Sequence, residues 1–130
     1  MFVRSQFSKL SCLSALCLMG CGVGEIRVVG NADDAKQALT QVLDAWKAGK
    51  SAADLQSGTP SVVAVDEDWT GGKQLKSYEL VDSPMENGSH WRVFANLTLT
   101  TKGKTSKPEK VCYAVTLGSP TSVLRSDFLN

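Results

Sequence analysis

The densest group of side chains able to do chemistry is the acidic run Asp66-Glu67-Asp68, which follows a short apolar segment. Neighbouring carboxylates can raise one another's pKa and act as acid and base, or they can bind calcium. Calcium loops, however, space their ligands at alternate positions around a glycine, whereas these three acids are consecutive and Trp69 follows them. We therefore expect a polar strand end, with a binding role for Asp66 and Asp68 as the alternative.

His90 is the only histidine of the chain and stands beside a predicted turn. A two-histidine metal site is excluded, and a lone imidazole would need carboxylate partners that the sequence does not identify. We expect His90 to be a solvated residue at a strand start. No catalytic residue, metal ligand or cofactor is assigned, and the possible binding residues are Asp66, Asp68, Trp69, Tyr78 and His90.

Trp69 lies between these acids and a Gly-Gly pair. An exposed indole at such a position could anchor a partner. The alternative is that Trp69 folds back and covers the open end of the core. Trp46 and Trp91 fall on predicted apolar faces and are expected to be buried.

The first twenty residues have the pattern of a secretory signal. Arg4 and Lys9 precede about ten apolar and small residues, with no acid among them. This segment is too short for a membrane span, which needs about twenty apolar residues. We expect residues 1–20 to be a signal peptide and residues 21–30 to be a tether or linker.

The stretch Leu18-Met19-Gly20-Cys21 resembles the lipobox of bacterial lipoproteins. The resemblance implies a diacylglyceryl thioether, with fatty acids such as palmitate, on Cys21. Two acyl chains suffice for stable attachment, so the protein would be membrane-anchored in the periplasm or at the cell surface. Met19 is larger than the residue usual at that position, and ordinary signal-peptidase cleavage is the alternative.

Composition bounds what the exported part can be. Without Arg4 and Lys9, twelve cations stand against thirteen acids, which gives no electrostatic case for nucleic acid. Residues 31–130 suffice for one small domain with one core. Cys112 would be the only remaining unmodified thiol, so no intramolecular disulfide is expected, and its apolar surroundings predict a buried residue.

One amphipathic helix begins near Asn31 or Asp33 and ends before Gly49. Its apolar positions recur at three- and four-residue spacing and form one stripe: Ala35, Ala38, Leu39, Val42, Leu43 and Trp46. A shorter helical turn follows, with Ser51 as its expected cap.

Beyond Ser61 the apolar period changes from 3.6 to 2 and predicts strands. The segments are 62–65, 75–81, 91–100, 111–117 and 122–125. The connections at 70–72, 84–88 and 102–108 are too short for crossover helices, so successive strands are expected to pair antiparallel. The predicted fold class is α+β, with one long N-terminal helix packed on a four- to five-stranded antiparallel sheet.

This arrangement resembles the cystatin-like and NTF2-like superfolds, and the helix end Ala45-Trp46-Lys47-Ala48-Gly49-Lys50 is similar to that of NTF2-like domains. The Gln-x-Val-x-Gly loop of inhibitory cystatins does not occur in the chain. Most of the chain after the signal, including residues 45–50 and 62–80, also looks similar to short exported proteins of planctomycete bacteria, a family without an assigned activity.

Two functions follow as hypotheses. The first is a non-enzymatic, membrane-tethered extracytoplasmic domain that binds a protein or a small ligand through the open sheet face or the Trp69 loop. The second is an NTF2-like hydrolase or isomerase whose pocket holds Asp66, Asp68, Tyr78 or His90. Convergence of these side chains in a deep pocket would favour the enzyme, and a core filled by Trp46, Trp91 and Leu97 would favour the binding domain.

Overall fold

The structure is a computed structural model that describes residues 29–126. Cys21 and the expected signal peptide lie outside this range. The described part of the chain contains three helices, α1 (Ala32–Lys47), α2 (Ala52–Gln56) and α3 (Glu67–Thr70). It also contains six strands, β1 (Val62–Val65), β2 (Gln74–Asn87), β3 (His90–Thr101), β4 (Lys104–Thr105), β5 (Glu109–Thr116) and β6 (Thr121–Arg125).

The sequence offers Asn31 and Asp33 as N-caps of helix α1, and the structure shows which of them is used. The Asp34 N–H donates to the Asn31 side chain at 2.9 Å, and the Asn31 N–H donates to the Asp34 carboxylate at 3.2 Å. This reciprocal capping box satisfies two N–H groups that the first turn would otherwise leave unpaired. Asn31 is therefore the cap, and the predicted Ser51 cap of α2 is confirmed.

We expect Asn31→Ala to reduce the free energy of unfolding by about 1 kcal/mol, because the first turn loses its acceptor. Urea denaturation would measure the change. Asn31→Ser retains an acceptor and serves as the control. Equal stability of the alanine and serine variants would contradict the assigned role of the cap.

The sheet has the strand order β1-β6-β5-β3-β2, and β4 pairs with β3. It has six strands, rather than the expected four or five, because Lys104–Thr105 adds a two-residue strand within the last long connection. The prediction of antiparallel pairing between successive strands holds from β2 onward but is wrong for β1. Strand β1 pairs in parallel with β6, because residues 66–72 form α3 and its end and carry the chain to the opposite sheet edge.

Strand β2 is longer than predicted. The segment Pro84 to Gly88 was expected to be a connection, but β2 continues to Asn87. Asp82, with φ 58°, lies in a register shift between Val81 and Met85. The irregularity lets β2 continue beside β3, so only a tight turn remains between them.

Helix α1 packs on the inner face of the sheet, and its predicted apolar stripe is buried. The period of 2 predicted for residues 91–100 is confirmed as well, because alternate residues of β3 are buried: Trp91, Val93, Ala95, Leu97 and Leu99. Phe94 lies on the other face of β3, where the Arg92 guanidinium and the Lys110 ammonium group lie 5.5 and 5.1 Å from its ring centroid. Cys112 is buried with a free thiol, as expected.

The two ends of α1 mark the two ends of the domain. Near its start, the Trp91 indole N–H donates to the Val29 carbonyl at 3.3 Å. Near its end, the Trp46 indole N–H donates to the Lys73 carbonyl at 2.9 Å. A helix of 16 residues is about 24 Å long, so Val29 and Lys73 are far apart. No helix between residues 29 and 126 is long and apolar enough to cross a membrane.

Candidate functional site

The candidate site is built from a five-residue pattern, Trp-x-x-Gly-Lys, that occurs twice, at 46–50 and at 69–73. The first copy ends α1 and the second ends α3. In both copies the glycine has a positive φ, 85° at Gly49 and 92° at Gly72. Glycine adopts this conformation without a Cβ clash and is therefore the usual residue after a helix end.

Both helix ends close with the same hydrogen-bond pattern. In α1, Gly49 N–H donates to the Trp46 carbonyl and Lys50 N–H to the Ala45 carbonyl, both at 2.9 Å. The same pair of bonds ends α3, at 3.1 Å from Gly72 to Trp69 and at 3.0 Å from Lys73 to Asp68. These are Schellman motifs, which satisfy helix carbonyls and fix the direction of the following residue.

The two copies bind each other reciprocally. The Trp46 and Trp69 rings stack with centroids 5.6 Å apart and planes 12° apart. The Trp46 indole N–H donates to the Lys73 carbonyl at 2.9 Å, and the Trp69 indole N–H donates to the Lys50 carbonyl at 3.1 Å. We call this arrangement, formed by residues 46–50 and 69–73, the tryptophan pair. Both indoles are held by stacking and by a hydrogen bond.

The tryptophan pair borders open grooves. A groove of about 180 Å³ lies between the two copies and is lined by both tryptophans, both glycines, both lysines and Gln74. A second groove of about 270 Å³ is lined by Ser51, Ala52, Trp69 and Thr70. Trp69 is the only residue shared by the two, so it separates them.

A polar network holds α3 in place beneath Trp69. Asp66, 3% exposed, caps α3 and accepts from the Asp68 N–H at 2.8 Å and from the Trp69 N–H at 3.3 Å. Its other contacts come from the sheet, where the Tyr113 hydroxyl donates to its carboxylate and Arg125 lies at 3.3 Å. A buried carboxylate is tolerated when it is paired and hydrogen-bonded in this way.

Asp68 extends the network toward the surface. Arg125 reaches its carboxylate at 2.8 Å and Lys73 at 2.9 Å. Partial burial acts to raise the pKa of Asp68, but hydrogen bonds to Lys73 and Arg125 and their charges outweigh burial and lower it. Asp68 is therefore a charged structural partner of both cations at neutral pH.

The structure brings together three of the five predicted binding residues. Asp66, Asp68 and Trp69 all lie in α3 or at its cap. The acids do follow the end of β1 at Val65, as expected, but Asp66 is buried and also caps the short helix α3. The Trp69 ring folds back on Trp46, as one of the two alternatives expected, and it also lines two grooves.

Tyr78 lies elsewhere, between β2 and α1. Its hydroxyl donates to the Asp44 carboxylate at 2.5 Å. Burial, together with the hydrogen bond and charge of Asp44, raises the pKa of Tyr78 to about 12. This side chain joins helix to sheet and does not meet Asp66 or Asp68.

We expect this tyrosine to make stability depend on alkaline pH. Above pH 10.0, the ordinary tyrosine pKa, the unfolded chain loses a proton that folded Tyr78 retains until about pH 12. Stability contributed by Tyr78 is therefore complete below pH 10.0 and is lost as the pH rises through about 12. Urea unfolding between these pH values should show a smaller decline for Tyr78→Phe than for the unchanged protein, and identical declines would contradict the assignment.

His90 is the first residue of β3, at the end of the sheet opposite Trp69. It is partly buried, and its Nε2 atom is buried with no hydrogen-bond partner in the described residues. The expectation of a solvated histidine is therefore wrong for this atom. His90 lies far from the other candidates.

Four residues of the site were missed in the sequence: Lys50, Lys73, Tyr113 and Arg125. Tyr113 and Arg125 are register partners on β5 and β6, and both face inward with Val115 and Val123. An arginine at an inward position of a predicted strand needs an acid, which could have linked it to Asp66. The repeated Trp-x-x-Gly-Lys pattern was the available signal for the two lysines.

No group of three histidine, cysteine, aspartate or glutamate side chains within residues 29–126 is arranged to hold a metal ion. The chain was also compared with known proteins. No family model, curated protein or solved structure matches it significantly.

Proposed function

We propose that this chain is an exported bacterial lipoprotein, anchored to the membrane through Cys21, whose domain binds an extracytoplasmic ligand at the tryptophan pair. It acts as a binding module and not as an enzyme. The fold that we propose in detail is cystatin-like or NTF2-like, supported by one long helix on one face of the sheet. We also propose that the chain is related to the short exported proteins of planctomycete bacteria that it resembles.

The observation that carries the proposal is the rigidity of Trp69 beside two open grooves. Its ring is held by stacking on Trp46 and by a hydrogen bond from its indole N–H to the Lys50 carbonyl. The Trp69 side chain therefore loses little conformational entropy when a ligand binds to it. Large, pre-positioned aromatic side chains are the usual anchors of binding surfaces.

The position of Val29 supports a ligand beyond the membrane surface. The chain enters the domain at Val29, beside Trp91, whereas the tryptophan pair lies at the other end of α1. An anchor at Cys21 would attach to the Val29 end through residues 22–28. The tryptophan pair would then point away from the lipid and toward the envelope or the surroundings of the cell.

The alternative enzyme has less support. Asp66 and Asp68 are paired with Arg125, while Tyr78 and His90 lie apart from them. The centre of the fold is filled by buried side chains, among them Trp46, Trp91 and Leu97. A hydrolase or isomerase of the NTF2-like type would need an open pocket at that place.

The tether is tested by mass spectrometry of the protein purified from its native membrane. We expect an acylated Cys21 at the N-terminus, and Cys21→Ala should move the domain to the soluble fraction. An unmodified Cys21, or residues 1–20 still attached, would overturn the anchor.

The binding surface is tested by a photo-reactive phenylalanine analogue placed at Gln74, which lines the groove between the two copies. In intact cells we expect a light-dependent adduct of defined mass that disappears with Trp69→Ala. The analogue placed at exposed Lys107, outside the grooves, is the matched control. An equal adduct from both positions, or none that depends on Trp69, would overturn the proposed surface.

A further inference from the structure

We infer that the ligand of the tryptophan pair is a saccharide chain that carries carboxylates. This inference rests on the proposed function, since it names the class of ligand for the same surface.

The groove between the two copies is cationic. Lys50 and Lys73 line it, and no aspartate or glutamate does. Lys73 forms an ion pair with Asp68, which lies behind the groove and also pairs with Arg125. Lys50 is exposed, so its ammonium group is available to an anion that enters the groove. A carboxylate matches this site in charge.

Trp69 offers a surface for a sugar ring. Trp46 covers one face of the indole, and the second groove, which Trp46 does not line, runs along another side. The face of an indole ring is electron-rich and attracts the polarised C–H groups of a pyranose. The Ser51 and Thr70 side chains beside it can hydrogen-bond to hydroxyl groups.

The grooves adjoin and suit a chain rather than a single sugar. A third groove of about 420 Å³ lies between α1 and α2 and includes Gln41, Asp44, Leu55 and also Lys50. Lys50 thus belongs to the first and third grooves, and Trp69 to the first and second. Asp44 would repel an anion, so uncharged sugar units are expected there and the carboxylate beside Lys50 and Lys73.

Titration calorimetry of the purified protein against galacturonic acid trisaccharide and a hyaluronan tetrasaccharide tests the inference. We expect at least one of the two to bind, and the uncharged galactose trisaccharide to bind at least about tenfold more weakly. Lys50→Ala should lower the affinity about tenfold and flatten its dependence on salt, because one ionic contact is lost. Trp69→Phe should weaken binding less than Trp69→Ala does, and Lys107→Ala should leave it unchanged.

Three results would overturn the inference: no binding of either acidic probe at about 10 mM, equal binding of the uncharged trisaccharide, or no effect of Lys50→Ala. If the Trp69-dependent adduct at Gln74 still forms in cells, only the ligand class fails and the proposed function stands. If that adduct is absent as well, both fail. Circular dichroism of each variant establishes that it is folded before binding is compared.

Discussion

Asp66→Ala is expected to lower the free energy of unfolding by about 3–5 kcal/mol, enough to unfold a marginally stable domain. The substitution removes the cap of α3 and leaves the buried Tyr113 hydroxyl and the Arg125 guanidinium without this acceptor. A buried donor that loses an acceptor is less well compensated for its desolvation. Urea denaturation, followed by circular dichroism, measures the loss.

Two variants separate the buried network from a general effect of removing an acid. Asp66→Asn keeps an oxygen for the cap but loses the charge that pairs with Arg125. Its free energy of unfolding should therefore fall between those of the unchanged protein and Asp66→Ala. Asp33→Ala removes an exposed acid from the first turn of α1 and should cost at most about 1 kcal/mol. If Asp66→Ala costs no more than Asp33→Ala, the network does not contribute to stability as described.

Trp46→Ala is expected to destabilise the domain by about 3–5 kcal/mol, whereas Trp69→Ala should cost about 1–2 kcal/mol. The two rings share one stacking contact and have equivalent hydrogen bonds. Trp46, however, is only 3% exposed and belongs to the hydrophobic core, whereas Trp69 is partly buried and packs against that core. The difference between the two losses in free energy of unfolding therefore reflects the deeper burial of Trp46 and not the stacking contact, which both variants lose.

Urea unfolding of both single variants and of the double variant provides the test. Because the two rings are in contact, their effects should not add, and the coupling energy should be about 0.5–1.5 kcal/mol. Equal losses for the two single variants would contradict the placement of Trp46 in the core. A stable Trp69→Ala protein is also what makes this variant usable in the binding experiments.

Local patterns in the sequence predicted the elements well. The stripe of α1 and the alternation of β3 are periodic, and both proved to be the buried faces. Caps such as Ser51 depend on side chains within three residues and were equally readable. The strand at Val62–Val65 was found with its bounds, because its β-branched run is closed by a proline and by acids.

The pairing of β1 could not be predicted in this way. Its partner β6 lies at the other end of the chain, and the short connection after β1 suggested a hairpin. Asp66 can end a strand or cap a helix, and the choice depends on Tyr113 and Arg125, which are distant in sequence. Local propensity does not contain that information.

In the candidate site, too, some features can be read from neighbouring residues, whereas others depend on contacts between residues distant in sequence. The sequence by itself determined that Asp66, Asp68 and Trp69 are neighbours and that a glycine and a lysine follow each of two tryptophans. Only the tertiary structure decided that the two tryptophans stack and that each indole N–H donates to the backbone carbonyl of the lysine in the other copy. It also decided that Tyr78 and His90 lie elsewhere. The physical reason is that these contacts form between α1 and α3, which meet only because the sheet holds them together.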